Sequence, residues 1–267
     1  MNTSPSAGLI ARDITVDYGR STPALDAVSL TIETGVVTAI VGPNGSGKST
    51  LLRTMGRLHT PQRGTVLLDG QDIFQRPTRD LARELGILPQ SPTAPEGLTV
   101  VDLVSRGRDP HRRWFDQWAR SDEAVVSAAL ERTGMTALAT ARVDDLSGGQ
   151  RQRAWIALAL AQETRTLLLD EPTTYLDIAH QLDVLDLVRT MHEEQGATVV
   201  MVLHDLSMAA RYADRIVALR AGRIIADGTP ADIITPPMLR DVFDIEATVI
   251  VDPNTGRPHV LPIRRTG

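Results

Sequence analysis

Hydrophobic and polar residues follow two patterns in the amino-terminal part of the chain. Leu9–Val16 and Val28–Glu33 alternate between the two classes and contain many β-branched residues, which predicts two half-buried strands. Val36–Val41 is a continuous apolar run, which is typical of a strand covered on both faces. Shorter runs predict further strands at Thr65–Leu68 and Gly86–Leu88. This part of the chain is therefore expected to be rich in β-structure.

The pattern changes after the fifth of these strands. Residues 91–145 contain several prolines and then show helical periodicity at Val100–Arg106 and Asp122–Thr133, without a strand pattern. We predict that this segment is a helical insertion. Another helix is expected to begin after Ser147 and to run to about Gln162.

The carboxy-terminal part alternates strands and helices. Thr166–Leu169 and Thr198–Leu203 are continuous apolar runs that predict buried strands, and the pattern between them predicts a helix over roughly Ile178–Glu194. A further strand is expected at Ile216–Leu219, and Pro253–Gly256 predicts a hairpin turn. Because strands, loops and helices alternate, we expect an α/β core with a mainly parallel sheet.

Composition excludes several classes of protein. The 267 residues carry a formal net charge of −5, whereas nucleic-acid-binding proteins usually have a basic excess. There is no cysteine, which excludes disulfides and thiolate metal sites. Residues 1–8 have neither a basic start nor an apolar run, so we expect a loose tail rather than a signal peptide. No apolar run approaches the roughly 20 residues that a membrane-spanning helix needs.

The chain contains 27 arginines and a single lysine, Lys48. This lysine lies in GPNGSGKS, Gly42–Ser49, which has the P-loop pattern and stands between a predicted strand and a predicted helix. The glycines allow backbone N–H groups to point at phosphate oxygens, and the helix start adds partial positive charge. We expect Lys48 to reach the β- and γ-phosphates of a nucleotide and the Ser49 hydroxyl to bind Mg²⁺.

A second chemical pattern is LLLDEP, in which an apolar strand ends in Asp170 and Glu171. Mg²⁺ would explain why two carboxylates are adjacent: Asp170 would hold the ion, and Glu171 would act as the general base for an attacking water. Taken alone, the pair is equally consistent with the start of an ordinary acidic loop.

A third pattern is LSGGQ at residues 146–150. Ser147 is a good helix N-cap, and Gly148 and Gly149 would expose backbone N–H groups at the start of the next helix. LSGGQ is therefore a second candidate phosphate-binding sequence in a chain that has one P-loop. The alternative is a plain helix cap with two turn glycines.

These three patterns, in this order and spacing, resemble the ATP-binding cassette ATPases over nearly the whole chain. The resemblance implies the P-loop NTPase fold: an α/β core with a mainly parallel sheet, an N-terminal antiparallel β subdomain and a helical subdomain. It implies one ATP-binding domain over residues 9–267, with the helical subdomain at about 91–162 and a flexible tail at 1–8.

The resemblance also assigns roles to single residues. Tyr18 resembles the aromatic residue that stacks on adenine, and Gln90 the glutamine that contacts Mg²⁺ or the attacking water. Asp177 resembles the D-loop aspartate, and His204 the histidine that contacts the γ-phosphate. On the residues alone, Tyr18 could be a strand-end tyrosine and His204 a structural histidine.

The residue sets that the resemblance implies are as follows. ATP would be bound by Tyr18, Gly42, Pro43, Asn44, Gly45, Ser46, Gly47, Lys48, Ser49 and Thr50. The catalytic set would be Lys48, Gln90, Glu171 and His204, and the Mg²⁺ ligands would be Ser49, Gln90 and Asp170. Ser147, Gly148, Gly149 and Gln150 would complete the ATP site of another subunit.

Residues 100–118 indicate which branch of the ATP-binding cassette ATPases the chain resembles. They contain Trp114, Phe115 and Trp118 among several arginines, a composition typical of protein interfaces. The same residues could pack inside the helical insertion or contact nucleic acid. The RGRDPH sequence at 106–111 resembles the ATPases of iron–siderophore, haem and vitamin B12 importers, as does TTYLD at 173–177.

The resemblance therefore implies an ATPase for import of a ferric siderophore, peripheral to the cytoplasmic face of the membrane. Its expected partners are a second cassette, forming a homodimer, transmembrane permease subunits and, indirectly, a substrate-binding protein, but no nucleic acid. The alternatives are import of haem, cobalamin, zinc or manganese, and a soluble ABC ATPase acting on nucleic acid or ribosomes.

Overall fold

The computed structural model describes residues 7–19, 22–112, 119–174 and 176–266. Trp114, Phe115 and Trp118, which the sequence places at an interface, lie outside these ranges, as does Tyr175. Contacts divide the chain into two compact units. The first unit consists of Met1–Arg76 and Thr198–Gly267, and the second of Pro77–Ala197.

The described elements of the first unit come from both ends of the chain. Its strands are β1 Ala7–Val16, β2 Leu25–Glu33, β3 Val37–Val41, β4 Arg63–Leu68, β5 Gln71–Asp72, β8 Thr198–Val202, β9 Arg215–Arg220, β10 Arg223–Gly228, β11 Ile245–Val251 and β12 Pro258–Arg265. Its helices are α1 Lys48–Met55, α7 Leu206–Tyr212, α8 Pro230–Ile233 and α9 Pro236–Phe243.

The amino-terminal strands form an antiparallel sheet in the order β2-β1-β4-β5. Ile10 of β1 lies opposite Thr31 of β2 on one side and Leu67 of β4 on the other. Buried and more exposed residues alternate along much of β2, as the sequence predicts for a strand with one covered face. The antiparallel β subdomain expected from the family resemblance is present.

Parallel pairing places β3 between β8 and β9, and β10 adds an antiparallel strand beside β9. All five residues of β3 and all five of β8 are buried. This is why the sequence shows continuous apolar runs here instead of alternation. Since β3 and β8 run parallel, with Ile40 opposite Val202, their carboxyl ends lie at the same edge of the sheet.

The second unit contains most of the predicted helical insertion. Its helices are α2 Thr78–Ala82, α3 Val100–Ser105, α4 Arg120–Arg132, α5 Gly148–Ala161 and α6 Ile178–Gln195, and its strands are β6 Leu85–Leu88 and β7 Thr166–Asp170. Helices α3, α4 and α5 contact one another. Strands β6 and β7 are parallel, with Leu88 opposite Leu169, so their carboxyl ends are also adjacent.

Several elements near the carboxyl terminus have no clear hydrophobic pattern. Strand β10 reverses from β9 through a turn at Ala221 and Gly222, both with positive φ, and its residues alternate between exposed and half-buried. Helices α8 and α9 are short, but each begins with a threonine N-cap followed by proline at the first position. The hairpin of β11 and β12 was predicted from its turn. None of the helices in the described ranges is long and apolar enough to span a membrane.

Candidate active site

The loop after β3 has a shape that favours glycine at three positions. Gly42, Gly45 and Gly47 have φ values of 153°, 77° and 103°. A Cβ on Gly42 would stand 2.2 Å from the carbonyl oxygen of Leu219, and one on Gly47 would stand 2.5 Å from that of Ala24. At Gly45 no atom lies within 4 Å of such a Cβ, so the need there is for backbone conformation alone.

Lys48 folds back into this loop. Its Nζ donates to the carbonyl oxygens of Gly42 at 2.9 Å and Pro43 at 3.0 Å, and the residue is 5% exposed. Helix α1 begins at Lys48 without a side-chain cap at Gly47, and the buried Ser46 hydroxyl has no hydrogen-bond partner among the described residues. A loop with a buried ammonium, an uncapped helix start and an unpaired hydroxyl is suited to the oxygens of a phosphate group.

Tyr18 lies beside the helix that follows the loop. Its hydroxyl is 3.4 Å from Oγ1 of Thr50 in α1, and its ring centroid is 5.0 Å from that of His59. Half of the tyrosine is exposed, so part of its ring is available for contact with a ligand. The first unit therefore places an accessible aromatic ring next to the candidate phosphate loop.

His204 lies two residues after the end of β8 and is exposed. The N–H of Leu203 donates to the carbonyl oxygen of Ile40 at 3.2 Å, which ties the end of β8 to the end of β3. His204 thus leaves the sheet at the edge from which the loop of Gly42–Lys48 also starts. Ligands of parallel α/β sheets bind at this carboxyl edge.

In the second unit, the carboxyl ends of β6 and β7 bring Gln90 and Glu171 together. Nε2 of Gln90 donates to Oε2 of Glu171 at 2.6 Å, although the two residues are 81 positions apart. The Thr174 hydroxyl donates to the same oxygen at 3.1 Å. Asp170 is fully buried at the end of β7, and Glu171 is 8% exposed with a left-handed φ of 54°. This arrangement of buried carboxylates and an amide suits proton and metal chemistry.

The glycines of the LSGGQ sequence start α5, as expected, but the helix caps itself. The Ser147 hydroxyl accepts from the N–H of Gln150 at 3.3 Å, and the Gln150 side chain accepts from the N–H of Ser147 at 3.0 Å. This is a capping box. Further along α5, Nε2 of the buried Gln152 donates to the carbonyl oxygen of Pro172 at 3.0 Å. Helix α5 therefore braces the turn that follows Glu171.

Asp177 caps α6. Its carboxylate accepts from the N–H of His180 at 2.9 Å and lies 2.8 Å from the Nδ1 atom of the same histidine. The backbone hydrogen bond from His180, followed by the contact with its side chain, lowers the pKa of Asp177 below the ordinary value for aspartate.

The sequence did not predict the contacts of two residues in this arrangement: Thr174, which donates to Glu171, and Gln152, which donates to Pro172. For Thr174 the sequence offers only a weak signal, namely a hydroxyl residue three positions after Glu171. Gln152 has no sequence signal, because its partner depends on the path of a turn 20 residues away. In the described ranges, no group of three or more histidine, aspartate and glutamate side chains could hold a metal ion unaided.

The RGRDPH sequence is anchored within the second unit. Buried Arg108 pairs with Asp122 at 2.9 Å and Glu163 at 2.7 Å. The carbonyl oxygen of Pro110 accepts from Arg79 and Arg83. Most of this sequence is thus used for internal hydrogen bonds, and the described range that contains it ends at Arg112, before Trp114 and Phe115.

Comparisons with known proteins agree with this geometry. The sequence profile of the ABC transporter family matches residues 25–174. The ferric enterobactin transport ATP-binding protein FepC of Escherichia coli is 48% identical over 264 residues, which cover 99% of this chain and 97% of FepC. The probable siderophore transport system ATP-binding protein YusV of Bacillus subtilis is 49% identical, over 93% of this chain and 90% of YusV.

Solved structures show the same fold. An inward-facing metal-chelate type ABC transporter has a TM-score of 0.81 at 28% identity, covering 97% of this chain and 98% of that chain. A dimeric structure of the bacterial ABC transporter cassette MJ0796 has a TM-score of 0.76 at 29% identity, covering 83% of this chain and 98% of the other. Family match, sequence identity and fold agree: the chain belongs to the ABC transporter family, as one of its ATP-hydrolysing cassettes.

Proposed function

We propose that this protein hydrolyses ATP to drive a binding-protein-dependent importer of ferric siderophores. It acts as a peripheral subunit at the cytoplasmic face of the membrane, with residues 9–267 forming one ATP-binding domain. The observation that carries the ATPase assignment is the glycine loop that encloses the ammonium of the chain's only lysine. Cargo and location rest on the similarity to siderophore transport proteins.

ATP is bound by the first unit in this proposal. Lys48 exchanges its two carbonyl partners for β- and γ-phosphate oxygens, and the backbone N–H groups of residues 42–50 contact the phosphates. The half-exposed ring of Tyr18 stacks on adenine, and His204 contacts the γ-phosphate from the end of β8. The aromatic ring gains contact area on binding, while the polar groups exchange one set of hydrogen bonds for another.

Glu171 is the general base. Its burial and its two donors at Oε2 hold the carboxylate in one place, as abstraction of a proton from water requires. The hydroxyl of Ser49, the amide of Gln90 and the carboxylate of Asp170 are oxygen ligands that suit Mg²⁺. When bound with ATP, Mg²⁺ would neutralise charge on the phosphates.

A second copy of the cassette supplies the remaining phosphate contacts. Ser147, Gly148, Gly149 and Gln150 of each copy bind the ATP held by the P-loop of the other, and the copies close head to tail. Asp177, which caps α6, belongs to the same contact. Opening after hydrolysis then moves the permease subunits, which pass the motion to a transport path that receives cargo from a substrate-binding protein.

Two experiments test this proposal. The purified protein is expected to hydrolyse ATP only with Mg²⁺, and chelation of the ion is expected to abolish turnover. A deletion strain is expected to lose uptake of an iron-labelled siderophore while keeping uptake of labelled cobalamin and haem. The opposite cargo dependence would contradict siderophore import and leave the ATPase assignment intact, whereas co-purification of nucleic acid instead of a membrane-spanning partner would contradict import altogether.

A further inference from the structure

We infer that Thr174 is a positioning residue for the general base: its hydroxyl holds the Glu171 carboxylate in the orientation that activates water. The inference rests on the role proposed for Glu171 and adds a residue to it. Thr174 is half-buried and lies within the described turn that follows β7.

Two bonds connect Thr174 to Glu171. The Thr174 hydroxyl donates to Oε2 of Glu171 at 3.1 Å, and the Thr174 N–H donates to the carbonyl oxygen of Glu171 at 3.2 Å. The backbone bond closes the turn and fixes where the hydroxyl stands relative to the carboxylate. The turn therefore holds the Thr174 hydroxyl in position for its hydrogen bond to the carboxylate of Glu171.

The carboxylate needs such a donor. Rotation about the last side-chain bond of glutamate is broad, with no strong preference among orientations. Glu171 also has a left-handed φ of 54°, a conformation that favours glycine, so the surrounding contacts must maintain it. A hydrogen bond to Oε2 fixes the plane of the carboxylate and with it the direction in which Oε1 faces.

Gln90 donates to the same oxygen of Glu171, but the two donors differ in how their backbone segments are held. Gln90 lies in the irregular segment after β6, whereas the turn of Thr174 is held from outside by Gln152, which donates to the carbonyl oxygen of Pro172 at 3.0 Å. Gln90 also has a second proposed task, as a ligand of Mg²⁺. Thr174 is the donor that stays in place when the Gln90 amide is engaged elsewhere.

The test compares Thr174→Val, which replaces the hydroxyl by a methyl group of similar size, with Thr174→Ser, which keeps the hydroxyl. Displacement of a reacting group by about 1 Å can cost roughly 10²-fold in rate, and Gln90 retains part of the orientation. We therefore expect Thr174→Val to lower kcat by about tenfold with KM for ATP unchanged. Thr174→Ser is expected to restore most of the rate.

Thr173→Val is the matched control, because the Thr173 hydroxyl makes no hydrogen bond within the described part of the chain; its kcat is expected to stay near that of the native protein. In a Glu171→Gln background, Thr174→Val should add no further loss to the residual single-turnover rate, since no carboxylate remains to be oriented. Equal melting temperatures of the Val and Ser variants would show that the rate difference is not unfolding.

The possible results distinguish failure of this inference from failure of the proposed function. An inactive Glu171→Gln protein together with a Thr174→Val protein at the native rate would overturn the inference alone. The inference is likewise overturned if Thr174→Ser is as slow as Thr174→Val, if KM rises with the loss, or if the loss persists in the Glu171→Gln background. A Glu171→Gln protein that hydrolyses ATP at the native rate would overturn the proposed base and this inference together.

Discussion

The chain contains two glycine-rich helix starts that differ in how their donors are satisfied. At α1, Gly47 supplies no side-chain cap, and Lys48 is held by loop carbonyls. At α5, Ser147 and Gln150 form a complete capping box. The first start has no side-chain cap, whereas at the second the N–H groups of Ser147 and Gln150 are already bonded to side chains.

This difference suggests an order of events. Binding of ATP to the P-loop requires only the exchange of carbonyl partners for phosphate oxygens at Lys48. A phosphate that accepts from the N–H of Ser147 or Gln150 must compete with the cap formed by these two residues, which is worth about 1 kcal/mol in typical helices. We therefore expect a single cassette to bind ATP by itself and the second contact to form only when a partner's ATP is present.

The largest expected effect is that of Lys48→Arg. A rigid guanidinium does not reproduce a compact ammonium that must leave two carbonyls and reach between two phosphates. We expect this charge-conserving variant to lose most of its ATPase activity, by about 10²-fold or more, comparable to the loss of other charge-stabilising groups. Near-native turnover in a steady-state phosphate-release assay would remove Lys48 from the γ-phosphate.

The next effect is that of Gly47→Ala. The new Cβ would stand 2.5 Å from the carbonyl oxygen of Ala24 at a φ of 103°, so the loop must move. We expect loss of ATP binding by the isolated chain, measured by calorimetry, and a lower melting temperature. Native affinity in a folded Gly47→Ala protein would show that the loop geometry is not needed.

Gly149→Ala is the matched substitution at the other helix start. Its Cβ would meet only the side chain of Leu176, at 3.2 Å, and alanine is favoured over glycine inside a helix by about 1 kcal/mol. We expect an unchanged or higher melting temperature and native binding of ATP by the single chain, with loss of dimer-dependent hydrolysis. Loss of single-chain ATP binding would contradict the separation of the two helix starts.

The smallest effect is expected for Ser147→Ala. Removal of the cap should lower the free energy of unfolding by about 1 kcal/mol, because one N–H at the start of α5 loses its partner. Denaturant unfolding of the nucleotide-free protein measures this directly. A cost near zero would mean that the capping box does not compete with phosphate.

The sequence predicted the strands that are buried on both faces, because β3 and β8 consist of apolar residues apart from one threonine each. It did not predict β10, whose residues are all partly or fully exposed, or the short helices α8 and α9. Hydrophobic periodicity requires a covered face and sufficient length, and these elements lack one or the other. Their threonine–proline starts were the only local signals for the two helices.

Prediction of the candidate site from the sequence has the same limit as prediction of the fold. The loop around Lys48 and the adjacent carboxylates could be predicted, because their chemistry depends on residues that are neighbours in the sequence. The hydrogen bond between Gln90 and Glu171 could not be derived from spacing, since it depends on the pairing of β6 with β7. The positive φ of Glu171 has no signal in the sequence, because a non-glycine residue in that conformation is held there by tertiary contacts.

Two cassettes are proposed to share their ATP molecules, with Glu171 activating the attacking water, and one substitution probes both features. Glu171→Gln removes the proposed base without removing Lys48 or the cap at Ser147, and loss of a general base typically costs roughly 10²–10⁴-fold in rate. If ATP then persists and binds the closed pair more tightly than single chains, as proposed, the equilibrium should shift to the dimer.

Size-exclusion chromatography with light scattering, in the presence of Mg²⁺ and ATP, measures this shift. We expect Glu171→Gln to elute as a stable dimer without turnover, and the additional substitution Ser147→Arg to return it to the monomer. A Glu171→Gln protein that remains monomeric and hydrolyses ATP at the native rate would contradict both the base and the shared site.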